Sequence, residues 1–81
     1  MKKNELIRKM KSLETNVALT TSSFLIAIDE SINLETRKLF TNEYLGQIDT
    51  LLELKVYPKE ISELYLEGKK YLQNLVKNDF K

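Results

Sequence analysis

The chain has 81 residues, 13 of them basic and 12 acidic, and it contains neither histidine nor cysteine. The missing cysteine excludes disulfides and thiolate metal sites and fits an intracellular protein, and the missing histidine removes the commonest general base and nitrogen ligand. A net charge of +1 creates no overall field that would favour nucleic acid. We therefore expect one small domain over residues 1–81, with no catalytic, cofactor-binding or metal-binding residues.

The first predicted element is a long amphipathic helix from about Lys3 to Ile32. Its apolar side chains recur every three or four residues, which is the period of one buried helix face. A β-strand is disfavoured because apolar and polar residues do not alternate. A break near residues 14–16 is the alternative that the pattern leaves open. The predicted stripe consists of Leu6, Met10, Leu13, Val17, Thr20, Phe24, Ile28 and Ser31.

Within this helix, residues 15–28 carry no charged side chain, although a membrane-spanning helix needs about 20 mostly apolar residues. On a helical wheel Leu19 and Ile26 point away from the buried stripe, with Ser22 and Ser23 beside them. A helix with one buried face normally carries charges outside, so we expect this one to be covered on two sides. The cover is the chain's own helices, a partner or second copy, or, least favoured, a membrane surface.

Asn33 marks the start of the second predicted helix, because an asparagine side chain accepts a hydrogen bond from the first turn of a helix. Glu35 follows in that turn, where a negative charge suits the helix dipole. We expect the helix to run from about Leu34 to Lys55, with Gly46 on its outer face. Its predicted inner face consists of Thr41, Tyr44, Leu45, Ile48, Leu51 and Leu52.

Pro58 marks the third predicted helix, since proline is favoured at the first helical position. We expect this helix to end near Asn78. Gly68 lies within its apolar stripe, where a missing side chain lets a large ring approach, and Phe24 is the predicted occupant. Tyr57, in the preceding loop, is the tyrosine that we expect to be most accessible. The stripe consists of Ile61, Leu64, Tyr65, Tyr71, Leu72, Leu75 and Val76.

Three amphipathic helices with short connections predict an all-α, antiparallel three-helix bundle. If the first helix is split near residues 14–16, the alternative is a four-helix bundle. A third option is an extended hairpin that completes its core only as a dimer.

The polar clusters favour solvated surfaces over chemistry. Glu60, Glu63 and Glu67 share a helix face with lysine nearby, which is typical of a solvated face. The hydroxyl run TTSS at 20–23 has no base to activate a nucleophile, so we expect it to pack between helices or to form an outward polar strip. A solvated end is also expected for the basic N-terminal residues, and the alternatives are contact with an acidic partner, with phosphates or, weakly, with an anionic membrane. The basic N-terminal residues are Lys2, Lys3, Arg8, Lys9 and Lys11.

The segment ESINLETRKLFTNEYL, followed by YPKEISEL, resembles the second helix and proline-started third helix of bacteriocin immunity proteins. Those proteins are cytoplasmic four-helix bundles. This chain is shorter than is usual there and would lack the fourth helix unless the first predicted helix is really two. The resemblance covers about half of the chain. In helix count the chain is also similar to the three-helix antitoxins, which sequester a toxin kinase.

These patterns predict a small, non-enzymatic, cytoplasmic protein of a bacterium or phage that covers and neutralises a protein partner. The alternative is a structural homodimeric helical bundle whose charge-free face is the self-interface, and a membrane-peripheral protein is less favoured. No nucleic-acid partner is expected. The predicted partner-binding candidates are Leu19, Ser22, Ser23, Ile26 and Tyr57.

Overall fold

The computed structural model describes residues 2–13 and 18–80, without the side chains of Ala18 and Leu19. Over these residues the chain is all-helical, with four helices and no strand. The helices are α1 (Lys3–Ser12), α2 (Ala18–Ile28), α3 (Leu34–Glu53) and α4 (Lys59–Asn78).

The three-helix count is not matched, because the segment expected to be one helix contains both α1 and α2, and the four helices observed are the count of the alternative. At the end of α1, the N–H of Leu13 donates to the carbonyl of Met10, three residues back, at 3.0 Å. Such a tightened last turn is common where an α-helix ends. The break that was expected near residues 14–16 lies outside the described residues. The stripe gives no sign of a break because α1 and α2 both turn an apolar face to the same core.

The loop between α2 and α3 is held by short-range hydrogen bonds. Asp29 Oδ1 accepts from the backbone N–H of Ser31 at 3.0 Å and from its hydroxyl at 2.6 Å. These bonds, the hydroxyl bond first, lower the pKa of Asp29. Ser31 is exposed in this loop, so its predicted place in the buried stripe is wrong. The predicted cap is confirmed, since Asn33 Oδ1 accepts from the N–H of Thr36 at 2.8 Å.

The corner between α3 and α4 contains a left-handed residue. α3 ends at Glu53 with Leu54 as its cap, and Lys55 follows with a φ of 55°. Lys55 is the only non-glycine residue with a positive φ in the part of the chain that is described. Pro58 is the residue just before α4, so the helix begins one residue later than predicted.

Consecutive helices run antiparallel. Lys3 Nζ lies 3.5 Å from Glu30 Oε1, which joins the start of α1 to the end of α2. Arg37, near the start of α3, donates from Nε to the carbonyl of Ala27 at 3.0 Å. Its guanidinium carbon also lies 5.0 Å from the ring centre of Phe80, just beyond α4. The end of α3 and the start of α4 therefore lie at the same end of the bundle as the end of α1 and the start of α2.

α2 packs against all three of the other helices, as α4 also does, but α2 is the more enclosed of the two. None of its described side chains, from Thr20 to Ile28, is exposed. The buried core draws on all four helices. It consists of Leu6, Met10, Phe24, Ala27, Ile28, Tyr44, Ile48, Leu64, Tyr65 and Leu72.

Gly68 leaves space on α4 that is filled by side chains from the three other helices. A Cβ atom there would lie 2.6 Å from Tyr44 Oη, 2.7 Å from Met10 Cε and 3.2 Å from Phe24 Cε2. The prediction that Phe24 packs against this glycine is confirmed, and the space is shared with side chains from α1 and α3. At Gly46 a Cβ would meet no atom within 4 Å, which confirms its predicted outer position.

Candidate partner-binding surface

The partner-binding candidates predicted on α2 lie mostly inside the fold. Ser23 is only 5% exposed, so the prediction that it faces outward is wrong. Ser22 and Ile26 are half-buried, and the side chain of Leu19 lies outside the described residues. The expectation that this segment is covered on two sides is confirmed for Thr20 to Ile28, and the cover is the chain's own helices, because α2 packs against α1, α3 and α4.

The hydroxyl run at the start of α2 takes part in a buried polar network. Thr21 Oγ1 and Tyr65 Oη lie 2.6 Å apart, and the hydroxyl of Tyr44 donates to the carbonyl of Tyr65 at 2.6 Å. Burial raises the pKa of Tyr44 and of Tyr65, so both hydroxyls stay protonated. Thr21 therefore packs between helices, which is one of the two roles expected for the run.

Tyr57 is half-buried, and its ring centre lies 5.0 Å from that of Tyr65. The residues just before it are far more open, with Leu54 65% and Val56 55% exposed. We call residues 54–57 the α3–α4 corner. The left-handed backbone at Lys55 lies between the two exposed aliphatic side chains. The sequence prediction thus named one residue of this corner and missed its two most exposed neighbours.

A groove of about 680 Å³ lies between the last turn of α1 and the first half of α4. We call it the α1–α4 groove. It lies at the same end of the bundle as the α3–α4 corner, because α4 starts directly after that corner. Its apolar residues are Leu13, Ile61, Leu64 and Leu66, and its polar residues are Lys9, Ser12, Glu60, Glu63 and Glu67.

Some charged residues of the α1–α4 groove form ion pairs and others do not. Lys9 Nζ lies 3.2 Å from Glu5 Oε1 on its own helix, and Glu67 Oε1 lies 3.8 Å from Lys70 Nζ. Within the described residues, Glu60 and Glu63 take part in no ion pair, and both are exposed. The rim of the groove is therefore acidic, although the whole chain has a net charge of +1.

The five basic residues of the N-terminal cluster are all exposed, but they do not form one free patch. Lys3 pairs with Glu30, and Lys9 pairs with Glu5 at the edge of the α1–α4 groove. A second groove, of about 610 Å³, lies between α1 and α2 and includes Lys3 and Lys11. Weak contact of this cluster with an anionic membrane stays a prediction.

The contact between Arg37 and Phe80 was not predicted from the sequence. Arg37 is half-buried and donates to the carbonyl of Ala27 near the end of α2, where a positive charge suits the helix dipole. Phe80 is buried and lies beneath the guanidinium group. The available sequence signal was an arginine in the first turn after the predicted Asn33 cap. Its partner, the carbonyl of Ala27, could not be identified without knowing how α2 packs on α3.

Neither a metal centre nor a membrane-spanning helix is found in the described part of the chain. The acidic residues there form no group that could hold a metal ion. No helix among those described is both long enough and apolar enough to cross a membrane.

No protein-family model matches the chain, and neither the curated proteins nor the solved structures contain a match. The resemblance to bacteriocin immunity proteins and to three-helix antitoxins therefore stays a prediction.

Proposed function

We propose that this chain is a small, non-enzymatic helical protein that binds a protein partner and blocks it, in the manner of an immunity protein or antitoxin. The observation that carries the proposal is the α3–α4 corner, where Leu54 is 65% and Val56 55% exposed. Large aliphatic groups at the centre of an interface, shielded by a polar rim, are a common arrangement in protein complexes. We assign the protein to the cytoplasm of a bacterium or phage host, since a chain without cysteine suits a reducing compartment.

The backbone of the corner supports this proposal. A lysine in the left-handed region costs about 1–2 kcal/mol compared with its ordinary conformations. Glycine would remove most of this cost, because it has no Cβ. Lys55 instead holds this conformation with an exposed aliphatic side chain on either side of it. Strained backbone of this kind is concentrated at binding and switch sites.

One side chain of the corner is already held in place by the fold. Tyr57 packs on Tyr65, whose hydroxyl bonds to Thr21 and whose carbonyl accepts from Tyr44. The ring that a partner would meet therefore rests on a tyrosine that is itself bonded to α2 and to α3. Because binding loses less entropy when side chains are already ordered, such a surface favours tight occlusion of a partner.

The test is a comparison of partner capture by three versions of the full chain from lysates of bacterial candidates. The first is the unchanged chain, the second carries Leu54→Glu with Val56→Glu, and the third carries Leu39→Glu as the matched control. Leu39 is 61% exposed on α3, so its substitution adds charge at a different open site. We expect a partner that is captured by the unchanged chain and the control but not by the corner variant.

The captured partner is then purified, and its activity is measured as the chain is added. Inhibition that saturates at equal amounts of the two proteins would support the proposal. A partner that binds the corner variant as well as the unchanged chain, or whose activity is unaffected when it is bound, would contradict it.

The second candidate function is a structural homodimer. The charge-free face that was predicted as its self-interface is enclosed, because none of the described side chains of α2 is exposed. Support for a homodimer comes instead from the outer face of α3, where Leu39 is exposed and Gly46 has open space around it. These residues lie seven positions apart, so they share one face of the helix, and a glycine there allows a second helix to approach closely. Sedimentation equilibrium separates the two candidates, since a homodimer that dissociates on Leu39→Glu would favour the structural role.

A further inference from the structure

We propose that the α1–α4 groove binds a short amphipathic helix of the partner that carries lysine or arginine beside its apolar stripe. This inference rests on the proposed function and adds the chemistry of the bound segment. It concerns a different surface from the α3–α4 corner, although both lie at the same end of the bundle.

The floor of the groove is apolar and comes from two helices. Leu64 is buried, Leu13 and Ile61 are half-buried, and Leu66 is 40% exposed on the outer wall. A helix that binds in a groove inserts apolar side chains from one face at positions i, i+3, i+4 and i+7. Water that covers the leucines and isoleucine here would be displaced by such side chains, which is favourable.

The length of the acidic wall suits about two helical turns. Glu60, Glu63 and Glu67 line α4 in the groove, and residues seven apart on a helix are separated by about 10 Å. Two turns of a bound helix would present three or four apolar side chains to the floor. Cationic side chains flanking this stripe would then lie within reach of the rim.

The charge of the rim identifies a basic rather than an acidic segment. Three carboxylates line the groove with a single lysine, and Lys9 is already paired with Glu5. An acidic helix would meet like charge from Glu60 and Glu63 in the first half of α4, which is unfavourable in an interface. Glu67 contributes less, since its Oε1 lies 3.8 Å from Lys70 Nζ. The groove is acidic within a chain whose net charge is +1, so the complementarity is local and does not reflect the overall charge.

The experiment uses fluorescence anisotropy with the full chain and labelled synthetic helices of roughly 14 residues, about the length at which isolated helices begin to form. The main probe combines a leucine stripe with lysines on its flanks. One control probe has glutamate in place of every lysine, and a second has the same composition in scrambled order. We expect the basic amphipathic probe to bind, and both control probes to bind at least about tenfold more weakly.

Matched variants then locate the probe. Glu60→Gln with Glu63→Gln should weaken binding of the basic probe by about three- to tenfold, since each exposed charge contributes modestly. The control is Glu35→Gln with Glu43→Gln on α3, which removes the same charge and also changes one first-turn glutamate. Leu66→Ser should weaken binding about as much, whereas Leu39→Ser on α3 should leave it unchanged.

Several results would overturn the inference. Equal weakening by the α4 and α3 glutamate pairs would show attraction to bulk charge only. Equal binding of the lysine and glutamate probes would show a non-selective apolar site. Failure of the basic probe to bind would remove the groove as a helix site.

The outcome is also separable from that of the proposed function. A partner lost only by the corner variant, with the groove variants binding it normally, would leave the proposed function intact and overturn the groove inference. If the chain binds the basic probe in the groove but captures and inhibits no partner, the groove is a helix-binding site and the proposed function is overturned.

Discussion

α2 and the α3–α4 corner are both rich in apolar residues, yet their environments are opposite. α2 has no charged residue and exposes none of its described side chains. The corner includes Lys55 and directly follows Glu53, and it exposes Leu54 and Val56. A charge-free segment in this chain therefore reflects enclosure by its own helices. The apolar groups open to a partner lie instead among charges, where the sequence pattern draws no attention to them.

Removal of a large α2 side chain is the strongest way to break the enclosed region. Phe24→Ala should lower the free energy of unfolding by about 3–5 kcal/mol, because it leaves a cavity among Met10, Tyr44 and Gly68. Leu39→Ala on the open face of α3 should change it by no more than about 0.5 kcal/mol. Urea unfolding followed by circular dichroism measures both. Similar losses for the two variants would show that burial does not distinguish these sites.

The two glycines allow one substitution to be compared in opposite surroundings. Gly68→Ala should destabilise the fold, because overpacking costs about 1–3 kcal/mol and the better helix propensity of alanine offsets only part of this. The hydroxyl of Tyr44 would have to move from its bond to the carbonyl of Tyr65. Gly46→Ala should instead stabilise by up to about 1 kcal/mol, since only the propensity changes. Thermal unfolding measures the midpoint temperature of both variants. Midpoints that shift in the same direction would contradict the close packing at Gly68.

The backbone strain of the corner can be tested by substitution of Lys55. Lys55→Gly should stabilise the chain by about 0.5–1 kcal/mol, because glycine adopts a positive φ without a steric cost. The same substitution at Lys70, inside α4, should destabilise by about 1 kcal/mol. Chemical unfolding of the two variants makes the comparison, and a loss of stability at position 55 would contradict the left-handed conformation.

The fold was largely predictable where a local signal determined an element. The Asn33 cap and the outer position of Gly46 followed from residue type and helical period. The close approach at Gly68 followed from its place in the apolar stripe, but the period did not identify Phe24 as its neighbour. The separation of α1 from α2 did not follow from the period, because both helices bury faces that continue one stripe. The spacing of apolar residues shows which side of a helix is buried. It does not show where the chain turns back and a second, antiparallel helix begins.

The candidate site was much less predictable than the fold. Tyr57 was identified by its place beside Pro58, but exposure of Leu54 and Val56 depends on where α3 stops and how Lys55 turns the chain. Burial of Ser23 depends on how many helices surround α2. The α1–α4 groove requires the relative placement of two helices that are far apart in sequence. Each of these is a property of packing between helices, which a wheel drawn for one helix does not contain.

The most direct test of this account compares one new charge in each region. The unfolding midpoints of the purified Ser23→Glu and Leu54→Glu variants are measured in urea beside the unchanged chain. Ser23→Glu buries a carboxylate without a partner, so it should cost about 3 kcal/mol or more, or prevent folding. Leu54→Glu should stay within about 0.5 kcal/mol of the unchanged chain. A Ser23→Glu variant as stable as the unchanged chain would show that α2 is open on that face, and would contradict the account.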